Sequence, residues 1–201
     1  VDIVAKSTGT QSYGIDHKVD GMVHAAIKLN PAQIGPLIGF DAGEALKMRG
    51  VSNVVAVTGG VAAIADNTWR AFQAAEAVEA EWGPAPFPAT MDEHWQALEG
   101  SFTEDALDSR KRDDGDVESS IAETGEIISA EYRAPYLAHA PLEPISAIVR
   151  IDEDGAEVWT GTQIPRFIQN NVGKIAGIDP EKVTVHALYM GGSFGHRLED
   201  E

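Results

Sequence analysis

The alternation of apolar and polar positions predicts short strands interrupted by a few helices. Residues 1–30 read as strands, the most apolar run being Met22-Val23-His24-Ala25-Ala26-Ile27-Lys28-Leu29. A turn at Asp20-Gly21 precedes that run and Asn30-Pro31 ends it. A short helix is expected near residues 41–48, stopped by Gly50. Residues 54–57 and 61–65 flank Gly59-Gly60, the pattern of a β-hairpin. Next comes a helix that Asp66 or Asn67 can cap, its Trp69, Phe72, Ala75, Val78 and Trp82 recurring at helical spacing as one buried stripe, ended by Gly83-Pro84.

The second half repeats these signals more sparsely. Pro84-Ala85-Pro86-Phe87-Pro88 suits a linker. Thr90 with Glu93 three residues on is a capping box opening a helix to about Gly100. Residues 103–118 are charged and patternless, with Arg110-Lys111-Arg112 set against Asp113, Asp114 and Asp116. They lack the Asp-x-Asp-x-Asp-Gly spacing of a calcium loop, so a solvated loop is expected. Strand character resumes at 127–132. In 145–151, Ile145, Ala147, Val149 and Ile151 mark one buried face. Asp154-Gly155 turns into a partner strand at 156–160. Pro165 opens a helix whose inner face is Phe167, Ile168, Val172, Ile175 and Ala176, ending at Gly177. A last β-run covers 183–189.

Directly after that run stands Met190-Gly191-Gly192-Ser193-Phe194-Gly195-His196-Arg197. Three glycines around one aromatic suit backbone brought close to something flat or anionic, since glycine lacks Cβ and tolerates positive φ. A glycine-rich turn explains the same residues. The spacing is neither that of a phosphate-binding P-loop nor that of a dinucleotide fingerprint.

Composition narrows the function classes. The chain has 201 residues, 43% of them hydrophobic, enough for one large or two small domains. No apolar run approaches the ~20 residues of a membrane span. The formal net charge of −17 argues against a nucleic-acid partner, whose phosphates need a basic surface. Cysteine is absent, which removes disulfides, thiolate catalysis and cysteine-held iron–sulfur clusters from these residues. The six histidines (17, 24, 94, 139, 186 and 196) form no compact metal-ligand spacing. Each is expected at the surface or hydrogen-bonded in the core. Ser119-Ser120 lack a nucleophile elbow, so a hydrolase is poorly supported. In His139-Ala140-Pro141-Leu142-Glu143-Pro144, two prolines stiffen the backbone around one carboxylate and can aim it inward; a structural hairpin accounts for them equally.

Taken in order, five stretches resemble the molybdopterin-binding subunit of the xanthine dehydrogenase and aldehyde oxidase family, in particular its isoquinoline 1-oxidoreductase β-subunit branch. They are Thr8-Gly9-Thr10-Gln11-Ser12-Tyr13-Gly14-Ile15-Asp16 with Gly21-Met22-Val23-His24-Ala25, Gly60-Val61-Ala62-Ala63-Ile64-Ala65-Asp66-Asn67-Thr68-Trp69, Tyr136-Leu137-Ala138-His139-Ala140-Pro141-Leu142-Glu143-Pro144, Trp159-Thr160-Gly161-Thr162-Gln163-Ile164-Pro165 and the glycine loop. The resemblance implies an α+β chain: an α/β hammerhead domain over 1–83, then the first part of a molybdopterin-binding domain over 84–201, of which 84–128 is a linker and a variable acidic segment.

The resemblance also assigns roles. The metal of a molybdenum–molybdopterin cofactor is held by the pterin's dithiolene, so no protein metal ligand is expected. Gln163 matches the glutamine that contacts an oxo ligand of molybdenum, which an amide can do without carrying charge. Gly191, Gly192, Ser193, Phe194 and Gly195 match the loop around the metal end, with Phe194 near the substrate path. Ser193 replaces a glycine usual in this branch, His196 an arginine, and Leu198 stands where the xanthine dehydrogenase branch has a substrate-orienting glutamate; purine substrates are therefore disfavoured. The family's general base lies well downstream, so no catalytic residue is expected in this chain, and Glu199 and Glu201 are not that base.

The reading is a fragment of a molybdenum hydroxylase that oxidises an aldehyde or an aromatic N-heterocycle with water as oxygen source. Its partner would be a small 2Fe–2S electron-transfer subunit, in keeping with the lack of cysteine; the branch suggests a periplasmic location. The fragment alone is expected to be inactive and without cofactor. The rival reading is a non-enzymatic α+β binding or assembly module using the glycine loop as an anion or partner site. On the first reading, Gln163 and residues 191–195 converge, because a helical crossover between parallel strands brings both strand ends to one sheet edge.

Overall fold

The computed structural model of the chain describes residues 2–32, 34–109, 112 and 114–198. In order, they form α1 (Ile3–Thr8), β1 (His24–Leu29), β2 (Leu37–Asp41), α2 (Gly43–Leu46), β3 (Val51–Val57), β4 (Gly60–Ala65), α3 (Thr68–Ala77), β5 (Glu79–Trp82), α4 (Met91–Gly100), α5 (Val117–Glu123), β6 (Ala147–Ile151), β7 (Ala156–Thr160), α6 (Pro165–Ala176) and β8 (Val183–Ala187). The chain is thus a mixture of helices and mostly antiparallel sheets, as the α+β expectation had it. It folds as two compact units: residues 23–135, and residues 1–22 together with 136–201. These bounds differ from the expected division at 83/84. The first 22 residues pack with the C-terminal segment rather than with the strands that follow them.

In the unit of residues 23–135, β4 lies between β1 and β3, antiparallel to both. The β3–β4 hairpin turns at Gly59, whose φ of 70° suits a residue without Cβ. The α3 helix covers the sheet, and α2 packs beside it. Asn67 caps α3 by accepting the Arg70 N–H at 3.0 Å. Lys28 closes its other end, donating to the Val78 carbonyl at 2.6 Å, where the helix dipole favours a cation.

The core here is made of small residues. Ala45, Ala63, Ala65, Ala71 and Ala74 are fully buried, with Val61 and Val78 beside them. The expected aromatic stripe is overturned: Trp69 is 70% exposed and Phe72 56%. Mostly alanines, with a few valines, fill the space between helix and sheet, and the aromatic positions face outward. The helix also ends earlier than its periodicity suggested. Residues 79–82 leave it to pair with β2 as β5, so Trp82 lies on a strand and Gly83-Pro84 ends a strand rather than a helix. The α4 helix follows expectation to the residue, with the reciprocal Thr90–Glu93 capping box in place.

The stretch 127–132, expected as a strand, adopts no regular structure. Strand character needs a partner to satisfy its backbone, and none pairs with it among the described residues. Of the charged run before it, Arg110, Lys111 and Asp113 lie outside the described residues; Arg112 forks onto Asp114 at 2.6 and 2.8 Å.

The other unit begins with a further difference. Residues 3–8 are helix, not strand, the Ser7 and Thr8 hydroxyls bonding back to the carbonyls of Ile3 and Val4. Its sheet has the order β6–β7–β8, β6 antiparallel and β8 parallel to β7. The α6 helix makes the crossover between the parallel pair. Ile168 and Val172 of α6 pack on Ala156, Val158 and Val183 of the sheet. Phe167 and Ile175, expected inside, are 63% and 85% exposed; the narrow sheet accepts only one stripe of the helix. The apolar face expected on β6 is also left open, Val149 and Ile151 being half-exposed at the sheet edge.

A candidate cofactor-binding loop

The site grows from the parallel pair. Because β7 and β8 run in register, Thr160 opposite Ala187, the chain leaves both strands at the same edge. Leu188 N–H donates to the Thr160 carbonyl at 2.9 Å, extending the ladder one step. A Cβ on Gly161 would meet Met190 Cγ at 2.9 Å, so the two segments touch through the absence of a side chain. Buried Thr162 then accepts the Ile164 N–H at 3.0 Å and turns the chain into α6.

Gln163 sits at that turn. Its backbone N–H donates to the Arg197 carbonyl at 3.0 Å, and Ser193 Oγ donates to its Oε1 at 3.5 Å. Among the described residues its Nε2 makes no hydrogen bond and remains a donor for a ligand. The expected convergence of Gln163 with the glycine loop is therefore present in the geometry. Within the loop, Gly192 and Gly195 have φ of 77° and 93°. Phe194 also adopts a positive φ, 52°, and is 66% exposed, an unfavourable backbone state for an aromatic residue that solvent contact alone does not reward.

What holds the loop is Glu143, a residue the sequence left undecided. Its side chain is only 6% exposed. Oε2 accepts the Gly191 N–H at 2.8 Å, and Oε1 accepts the Ile15 N–H at 3.0 Å. The backbone adds a short ladder: Glu143 N–H donates to the Gly191 carbonyl at 2.9 Å and Leu142 N–H to that of Gly192 at 3.3 Å. A Cβ on Gly191 would fall 2.8 Å from Glu143 Cβ, so this glycine is needed for the close approach.

Arg197 completes the clasp. It is 5% exposed, donates to the carbonyls of Glu143 and Pro144 at 3.4 and 3.3 Å, and lies 3.9 Å from the Glu143 carboxylate. Among the described residues, its buried Nε has no hydrogen-bond partner. The only signal for Glu143 in the sequence was the bracketing prolines. Nothing local signalled Arg197 or the turn at residues 14–15, which belongs to this unit rather than to the expected 1–83 domain.

The histidines also separate. His24 Nδ1 bonds the Thr68 hydroxyl at 2.9 Å, as a structural histidine would. On the sheet face away from α6, Trp159 stacks with His186 (ring centres 4.9 Å apart, planes 9°) and with His17 (5.9 Å, 25°). His186 Nε2 lies 3.2 Å from Glu157 Oε1. His139 and His196 meet beside the glycine loop. Among the described residues, no three histidine or acidic side chains cluster as metal ligands, and no helix is long and apolar enough to cross a membrane.

Comparison with known proteins gives the class. Residues 101–200 match the family model of the molybdopterin cofactor-binding domain. Over these residues the chain belongs to the molybdopterin cofactor-binding domain family. Within it, the chain is 30% identical to isoquinoline 1-oxidoreductase subunit beta of Brevundimonas diminuta, over 98% of its own length and 26% of the relative's. It is 28% identical to the membrane-bound aldehyde dehydrogenase (pyrroloquinoline-quinone) of Gluconacetobacter polyoxogenes, over 100% of the chain and 27% of that protein. Among solved structures, the aldehyde oxidoreductase of Desulfovibrio gigas superposes with a TM-score of 0.76 at 19% identity, covering 99% of this chain and 27% of that one. Quinoline 2-oxidoreductase from Pseudomonas putida 86 gives 0.73 at 19%, covering 98% and 30%. The chain thus spans about a quarter of the length of the curated relatives it matches.

Proposed function

We propose that Gln163 and residues 191–195 hold the metal end of a molybdenum–molybdopterin cofactor, in a molybdenum hydroxylase that oxidises an aldehyde or an aromatic N-heterocycle. The observation that carries this is their meeting at the carboxyl edge of parallel β7 and β8, the place where open α/β sheets bind ligands. The residues fit the group. Gln163 keeps an amide donor unspent, Gly191 brings backbone where a Cβ would fall 2.8 Å from Glu143 Cβ, and Gly192 holds a φ of 77°. The cofactor, when bound, supplies the redox chemistry and water supplies the oxygen atom. Gln163 orients the metal end by donating from its amide, and Glu143 with Arg197 holds the loop against it. Phe194, exposed at the loop tip, lies beside the path by which a flat substrate enters.

The proposal extends to a 2Fe–2S subunit as electron acceptor, to residues 1–83 as the family's hammerhead domain, and to a periplasmic location, each supported by family resemblance. Osmotic-shock fractionation of the source cells checks the last. The central test uses the full-length protein. Gln163→Leu is expected to lower turnover with an artificial electron acceptor by about a hundredfold, the scale for losing one preorganised donor. Unchanged turnover at unchanged molybdenum content would remove Gln163 from the site. The 201-residue chain alone is expected to retain no molybdenum by elemental analysis.

A further inference from the structure

We infer that His139 and His196 form a two-imidazole site for a divalent transition-metal ion of borderline softness, such as zinc. Their Nδ1 atoms lie 3.2 Å apart, although 57 positions separate them in sequence. The ring centres are 5.1 Å apart and the planes cross at 47°.

These distances suit two nitrogens sharing one ion. A straight N–H···N hydrogen bond of this length, with each ring centre about 1.15 Å behind its nitrogen, puts the centres about 5.5 Å apart. Two nitrogens each about 2.05 Å from one metal ion and 3.2 Å from each other subtend about 103°, close to tetrahedral, and put the ring centres about 5.0 Å apart. The observed 5.1 Å lies close to the second value and shows that the rings are not collinear along the N–N line.

The backbone fixes the pair before any ion arrives. The ladder of residues 142–143 with 191–192 sets the register of the two segments that carry the histidines. Ala140, next to His139, has a φ of 47°, and Gly195, next to His196, has a φ of 93°. His196 N–H also donates to the Ser193 carbonyl at 2.9 Å. Neutral imidazole suits zinc, copper(II) and nickel(II), whereas magnesium and calcium prefer oxygen donors. The net charge of −17 draws cations toward the chain. The two imidazoles leave further coordination positions for water or for other ligands.

The inference does not rest on the cofactor proposal, because zinc binding by the purified chain can be measured without molybdenum. Calorimetric titration with zinc chloride is expected to show one zinc per chain, with magnesium chloride giving no heat. His139→Ala and His196→Arg should each weaken zinc binding about tenfold or more, with the double variant no worse than either single one. On the unaltered chain, followed by NMR, zinc should move the ring signals of His139 and His196 before those of His17, His24, His94 and His186. Equal affinity in the variants, no binding at about 1 mM zinc, or first response from another histidine would each overturn the site.

Discussion

The Glu143 carboxylate accepts the Gly191 N–H at 2.8 Å across 48 positions of sequence, while its other oxygen reaches the Ile15 N–H. One buried side chain thus ties the glycine loop to a turn near the N-terminus, with Arg197 packed against it. Removing it leaves two backbone donors without their acceptor and the Arg197 guanidinium without its nearby opposite charge. Glu143→Ala is expected to cost about 3 kcal/mol, in the range for breaking a buried charged pair. Urea denaturation measures the cost. Hydrogen exchange should quicken at residues 15 and 191–195 first; uniform change across the unit would mean that Glu143 has no special hold on the loop.

Gly191 and Gly195 are constrained for different reasons. An alanine at 191 drives its Cβ into Glu143, whereas at 195 nothing lies within 4 Å and only the φ of 93° is unfavourable. Gly191→Ala should therefore cost about 1–3 kcal/mol and displace residues 142–143. Gly195→Ala should cost about 1–2 kcal/mol and leave them in place. NMR shifts at Leu142 and Glu143 separate the two; similar shifts in both variants would contradict this assignment.

The alanine face of α3 makes a contrasting pair. Ala74→Leu forces extra volume between helix and sheet and should destabilise the unit by about 1–3 kcal/mol or more. Trp69→Ala should stay within about 0.5 kcal/mol. A reversal of that order in thermal melts would restore the aromatic stripe as the buried one.

Two helix caps should respond to acid. Hydrogen bonds from the Thr90 backbone N–H, then from its hydroxyl, hold Glu93 below the usual carboxylate range. The Ser119 N–H and hydroxyl do the same for Asp116 at the start of α5. A lowered folded-state pKa contributes stability above about pH 4 that is lost as pH falls through the lowered value. Amide protection in α4 and α5 should hold from about pH 7 to 5 and fall below about pH 4. The α3 helix, capped by uncharged Asn67, serves as control; fraying of α4 already above about pH 5 would refute the assignment.

Local chemistry determined much of this chain. The capping box at Thr90, the Gly59 turn, Pro165 opening α6 and Gly177 ending it act within a few residues and were legible directly. So was the glycine loop after β8, and its meeting with Gln163 followed from the strand–helix–strand order. Tertiary structure decided what depended on neighbours. Periodicity named the apolar face of α3, but mostly alanines fill the space against the sheet, and Trp69 and Phe72 face outward. Residues 127–132 have strand composition, yet a strand exists only where a second one accepts its hydrogen bonds. The first 22 residues joined the C-terminal unit through a single hydrogen bond from Ile15 to Glu143, among other contacts, which no window of sequence contains. His139 and His196 looked like two unrelated surface residues until backbone pairing four residues away brought their rings together.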